Sequence, residues 1–144
     1  SEEFHRRVLD HFGITLPFSQ FSWWWNDIFG PMEGMAELVG HLAARHPLYL
    51  VSNTNALHFD FIRQNYNFLT YFQGFILSFE LGSRKPESGI FQALIRQSGV
   101  PPACCLFVDD KLPFVTAARE QGLLAWQFTS RHDFVRLLQE HGLY

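Results

Sequence analysis

Cysteine is almost absent from this 144-residue chain, and the two that occur, Cys104 and Cys105, are neighbours. On the strand expected there, successive side chains point to opposite faces, so the pair is poorly placed to bridge. Both are read as small packed hydrophobes without chemistry. Positive charge is also scarce: eleven Lys and Arg stand against fourteen Asp and Glu, a net charge of -3. No basic stripe accompanies the sixteen phenylalanines and four tryptophans, which argues against a nucleic-acid partner. No apolar run reaches the roughly 18 residues that a membrane span needs, and neither a signal peptide nor an N-x-S/T sequon is present. The seven histidines are scattered, with no H-E-x-x-H and no Cys/His cluster, so zinc is not implied. These absences favour a cytoplasmic protein with no membrane partner. An initiator methionine is missing too: Ser1-Glu2-Glu3 enters an amphipathic pattern directly, as if an upstream segment had been removed.

What the chain does have is a change of hydrophobic period. Phe4, Val8 and Phe12 recur at helical spacing up to Gly13, Phe18, Phe21, Trp25 and Ile28 continue to Gly30-Pro31, and Met35, Leu38, Val39 and Leu42 form a third stripe before Pro47. From Leu48 short apolar runs alternate with amphipathic stretches. The runs are LYLV (48–51), FILSF (75–79), CLFV (ending at Val108) and LAWQF (124–128); the stretches carry Phe59 and Ile62, then Phe91, Leu94 and Ile95, then Val115 and Ala118, then a last helix with Ser130 and Asp133 as its capping box. Such alternation predicts an α/β fold, a parallel sheet with helices on both faces. The boundary falls at Gly30-Pro31, with a helical lead-in over 1–30 and an α/β core over 31–144.

In open α/β sheets ligands bind beyond the carboxyl ends of the strands, and polar residues stand at three such ends. Ser52-Asn53-Thr54-Asn55 follows LYLV, either capping the next helix or offering a hydroxyl and backbone N–H groups to an anion. Lys85-Pro86 precedes another helix: Pro86 suits a first helical turn, and a cation at the positive end of a helix dipole is unfavourable unless an anion lies between them. Asp109 and Asp110 end CLFV. Adjacent carboxylates repel at the dry end of a sheet, and a hard divalent cation such as Mg2+ would compensate them.

A hydroxyl, a lysine and an acidic pair, each at a strand exit and in this order, resemble the haloacid dehalogenase (HAD) superfamily of hydrolases. The resemblance rests on "LYLVSNTN", "LGSRKPESGIF" and "FVDDKLPFVTAAREQG", three of the four motifs of that superfamily, and the lead-in resembles the helical cap of its first subclass. It implies a HAD-like, Rossmann-like parallel sheet and a Mg2+-dependent phosphatase acting on a small phosphorylated metabolite through an aspartyl-phosphate. Ser52 with the backbone of Asn53 would hold the phosphoryl group, Lys85 would neutralise its charge, and Asp110, with Asp109 directly or through water, would ligate the metal. The acidic pair favours phosphatases over the dehalogenases, which work without Mg2+.

The remaining motif of the superfamily, a strand followed by Asp-x-Asp, has no counterpart. None of the fourteen acidic residues forms that pattern, and those before Ser52 (Glu2, Glu3, Asp10, Asp27, Glu33, Glu37) fall in helical patterns. The family's central first strand, between those ending at Ser52 and Asp109, is therefore expected to be missing, leaving unpaired strand edges. The chain reads as truncated and inactive alone, its gap met by a homodimer or strand-swapped assembly, or closed by direct pairing of the two flanking strands. A non-catalytic HAD-like binding module is the alternative. A phospho-receiver domain places its acidic pair after the first strand and its lysine last, contrary to the order here. Trp23-Trp24-Trp25 cannot all face one core, since three residues span roughly 200° of a helix; two are expected to pack, with one partly exposed.

Overall fold

The computed structural model describes residues 2–144. Three helices precede any strand, as the period requires: α1 (Glu2–Phe12), α2 (Phe18–Asn26) and α3 (Met35–Ala43). The β/α alternation follows as β1 (Tyr49–Ser52), α4 (Ala56–Asn65), β2 (Gly74–Leu77), α5 (Ser78–Leu81), α6 (Ser88–Ser98), β3 (Leu106–Asp109), α7 (Leu112–Glu120), β4 (Leu124–Gln127) and α8 (Arg131–Glu140). Ser130 accepts the Asp133 N–H at 3.1 Å and donates to the Asp133 carboxylate at 2.8 Å, the capping pair expected at the start of α8.

All strand pairing is parallel, and it is interrupted. β1 pairs with β2, from Tyr49 opposite Gly74 to Ser52 opposite Leu77; β3 pairs with β4, from Leu106 opposite Leu124 to Asp109 opposite Gln127. No ladder joins the two pairs among the described residues, so β1 and β3 do not close on each other. The break falls where the family's central strand was expected to be absent. Each sheet is only two strands wide, and coverage on both faces is incomplete: Phe75 and Leu124 remain exposed.

One core nevertheless spans the break. Ile90, Phe91 and Leu94 present one face of α6, spaced so that they fall on the same side of a helix. They pack with Ile76 of β2, Phe107 of β3, Ala125 of β4 and Val115 and Ala118 of α7. The Phe91 and Phe107 rings meet edge to face at 5.4 Å. Helices α1 and α2 form a separate aromatic layer, in which Trp25 stacks on Phe21 and meets Phe4 edge-on. Phe21 and Trp25 lie on the inward side of α2, a nine-residue helix that packs mainly against α1 and α4. Trp23 and Trp24 are consequently 61% and 55% exposed, two outward indoles rather than the one expected.

Three local expectations shift. The run FILSF stops being strand at Leu77, because Ser78 opens the short helix α5. Pro86 lies ahead of α6 rather than in its first turn. There Glu87 accepts from the Ser83 hydroxyl and the Arg84 N–H, and its own N–H donates to the Arg84 carbonyl, so the turn ends before the helix begins. Pro102 starts a 3₁₀ turn (Pro102–Cys104) that delays β3 to Leu106, leaving Cys104 exposed while Cys105 lies against the core.

Phe91 is wholly buried, so Phe91→Ala should cost about 3–5 kcal/mol in urea unfolding; a loss under about 1 kcal/mol would mean the two sheets do not share this core. A second expectation concerns pH. The His58 ring lies between Trp25 and Phe29, and its Nε2 is shielded without a partner. Burial holds its pKa below the ordinary 6.5, a hydrogen bond with the Trp25 backbone opposing this in part. The unfolded chain then takes up a proton that the folded one resists, so this contribution is intact above the unfolded pKa and erodes as pH falls below it. Melting temperature should therefore fall less steeply below pH 6.5 in His58→Phe than in the parent, and equal slopes would exclude His58 as a cause.

Candidate functional site

The strand ends bring the expected residues to one place. Ser52 and Asp109 are the last residues of β1 and β3, on opposite sides of the break. Lys85 reaches between them. Its ammonium donates to the Val51 carbonyl at 2.9 Å and to Asp109 Oδ2 at 2.6 Å. With Lys85 at 9% exposure, this is a buried ion pair and not a lysine on a solvated loop. The Phe107 and Phe114 rings lie 5.7 and 5.3 Å from the same nitrogen and add a weaker attraction. An ammonium has three donors, and two are engaged here.

Short-range geometry explains how the loops are held. Asn55 caps α4 by accepting the His58 N–H at 3.0 Å, which settles the capping role on that residue and leaves Ser52, Asn53 and Thr54 for other contacts. The Asn53 side chain turns to Lys85: Nδ2 donates to the Lys85 carbonyl at 2.9 Å, and Oδ1 accepts the Lys85 N–H at 2.8 Å. The Ser78 hydroxyl likewise accepts the Thr54 N–H and donates to the Thr54 carbonyl, each at 3.0 Å. Ser78 is a residue that the sequence reading passed over as strand interior, although it too follows an apolar strand at its carboxyl end. Between the two, Gly82 takes a left-handed conformation (φ 69°) after α5 and lets the chain turn into the lysine loop. Gly89 admits that loop at close range, since a Cβ there would meet Ser83 Oγ at 2.7 Å.

The acidic pair divides its roles. Asp109 places Oδ2 on Lys85 and accepts the Lys111 N–H with Oδ1 at 2.9 Å, so both its oxygens are engaged and the repulsion expected of adjacent carboxylates is offset. Asp110 is exposed, its backbone carbonyl accepting from Gln127 Nε2 at 3.0 Å. Among the described residues no group of three or more His, Cys, Asp or Glu is placed to hold a metal. Two carboxylates suit an ion that keeps waters and takes phosphate oxygens into its shell, which is the habit of Mg2+ and not of a closed zinc site. A surface recess lined by His41, Leu42, Ala44, Arg45, Leu143 and Tyr144 gathers around α3 and the last residues and includes none of these groups.

The chain is similar to known proteins. The chain is 28% identical over 134 residues to D-ribitol-5-phosphate phosphatase of Bacteroides thetaiotaomicron, covering 88% of this chain and 65% of that protein. It is 30% identical over 82 residues to the sesquiterpene phosphatase of Aspergillus oryzae, covering 57% of this chain and 42% of the relative. The chain thus spans less than two thirds of the length of these curated relatives. A HAD family enzyme of Bacteroides thetaiotaomicron, whose wild-type protein is solved in complex with magnesium and inorganic phosphate, superposes with a TM-score of 0.86 at 26% identity, covering 94% of this chain and 72% of that one. The profile of the haloacid dehalogenase-like hydrolases matches residues 20–122, a stretch that contains Ser52, Lys85, Asp109 and Asp110 together, and the chain belongs to that family.

Proposed function

We propose that this chain carries the phosphate-binding and Mg2+-binding side of a phosphatase acting on a small phosphorylated metabolite. The observation that carries the reading is the buried Lys85 ammonium, held between the ends of β1 and β3 with one donor unengaged. Ser52 and the main-chain N–H of Asn53 would hold phosphoryl oxygens, and Lys85 would offset their charge. Asp110, with Asp109 beside it, would hold Mg2+; when bound, the ion would draw off charge that builds on the phosphoryl oxygens. These are positioning and electrostatic tasks, and the relatives named as phosphatases support them.

Attack on phosphorus is a separate requirement. Asp109 is occupied by Lys85 and Lys111, and the sequence contains no Asp-x-Asp. We therefore propose that the chain alone binds phosphate but does not turn over phosphate esters, and that a carboxylate at the end of a further strand, which these 144 residues do not supply, would be needed to form an aspartyl-phosphate. Incubated with Mg2+ and p-nitrophenyl phosphate, it should release no nitrophenol above background; robust turnover abolished by Asp110→Ala would overturn this.

Binding itself is open to calorimetry. Asp109 and Asp110 balance the two ammonium groups of Lys85 and Lys111, so an anion alone meets no net positive charge. Inorganic phosphate should bind about tenfold or more tightly with saturating Mg2+ than without, and Mg2+ should gain by the same factor from phosphate. Asp110→Asn should remove most of this coupling. Phosphate affinity indifferent to Mg2+ would argue against a shared site.

A further inference from the structure

Lys85 is fastened at two points, and the two points flank Ser52. Its side-chain tip is bound by the Val51 carbonyl, one residue before Ser52. Its main chain is bound by the Asn53 side chain, one residue after, through both the N–H and the C=O. An asparagine at a strand exit ordinarily turns its side chain onto nearby backbone two residues on; this one reaches a residue 32 positions away. A carboxamide carries a donor and an acceptor in one plane, so it can satisfy the two main-chain groups of a single residue much as a neighbouring strand would. The opposite end of the same loop is fixed by Ser78, whose hydroxyl engages both main-chain groups of Thr54.

We propose that the Asn53 side chain is a positioning residue for Lys85: it sets the origin of the lysine side chain, so that the remaining ammonium donor and the Ser52 hydroxyl are held in one fixed relation toward a phosphate-type anion. The side chain thus acts through Lys85 and does not itself touch the ligand. The proposal rests on the reading of Ser52 and Lys85 as phosphate contacts given above, and it adds a role that the resemblance assigned only to the backbone of Asn53. The ammonium bonds to Val51 and Asp109 restrain the side-chain rotamers, and anchoring the main chain removes loop freedom that the anion would otherwise have to overcome.

The experiment uses the chain as it stands, ¹⁵N-labelled, with inorganic phosphate and Mg2+ as probes. In the parent, the Lys85 amide should exchange slowly with solvent, and a Lys85 Nζ–H cross-peak should be visible, because the ammonium is hydrogen-bonded and shielded. In Asn53→Ala, with the fold retained by circular dichroism, amide protection at Lys85 should be lost and the Nζ signal broadened. Phosphate affinity in the presence of Mg2+ should fall about tenfold, the scale of two modest hydrogen bonds. In a Lys85→Gln background the same Asn53→Ala change should shift affinity by less than about twofold, since an effect routed through Lys85 has no further route once the ammonium is gone. Additive losses in that cycle would show that Asn53 meets the anion itself and would overturn the proposal. So would an unchanged Lys85 amide and Nζ signal in Asn53→Ala. If the parent binds no phosphate, the reading of the site as a phosphate site fails, and the Lys85 spectra decide the clamp by themselves: lost protection supports it, unchanged protection overturns it.

Discussion

The 2.6 Å pair between Lys85 and Asp109 is the contact on which the arrangement of the strand ends depends. Both side chains are almost wholly withdrawn from water, and an isolated ion in that position would be costly by several kcal/mol. Compensation comes from every side. Val51 supplies a carbonyl to the ammonium, Phe107 and Phe114 supply aromatic faces, and the Lys111 N–H supplies a donor to the second carboxylate oxygen. That last bond also sets the turn from β3 into α7. The pair therefore links the lysine loop, the end of β1 and the start of α7, elements that share no strand ladder.

Backbone hydrogen bonding would normally do this linking. In a continuous parallel sheet, neighbouring strands fix one another's ends through evenly spaced ladder bonds. Here the ladder stops at the outer side of β1 and resumes at β3. Cohesion across the break passes instead through side chains: Ile90, Phe91 and Leu94 of α6 reach both sheets, and Val115 and Ala118 of α7 complete the same cluster. Apolar packing is non-directional, so it holds the sheets together without dictating the relative positions of their ends. Direction comes from the polar contacts at the carboxyl edge, where Lys85, Asn53 and Ser78 each bind two groups.

How much of this was legible in the sequence follows from the range of each interaction. Ser52 and Asp109 could be read because strand ends are marked by local pattern; Lys85, expected at a strand exit, lies beyond α5 and not at the end of β2, and it was legible through its Lys-Pro motif and the order of the three motifs. The break in the sheet could be read because the family motif that supplies the central strand was absent. Ser78 escaped notice because its role is set by Thr54, 24 residues away, while its neighbours look like strand. Asn53 was assigned a backbone role for the same reason: nothing within a few residues reveals that its side chain serves Lys85. Trp23 and Trp24 were misjudged because their exposure depends on the number of helices packed on α2, a tertiary quantity. Pro86 and Cys104 shifted by a turn each, through contacts of Glu87 and a 3₁₀ start at Pro102 that lie below the resolution of hydrophobic periodicity.

Charge accounting at the edge shows why the lysine cannot be the whole of an anion site. Lys85 is already paired with Asp109, and the next two residues, Asp110 and Lys111, add one charge of each sign, so the side chains offer phosphate no net attraction. Two things can change that. The N-terminus of α4, capped by Asn55, adds partial positive charge as any helix start does, and a divalent cation at Asp110 would raise the local sum above zero. Mg2+ would suit the second task because it keeps much of its hydration and accepts phosphate oxygens in place of water, and so needs no closed cage of protein ligands. On the reading proposed above, Lys85 would keep its bond to Asp109 and offer the anion its third donor. The Lys85–Asp109 pair would then hold the buried lysine in place for both cation and anion.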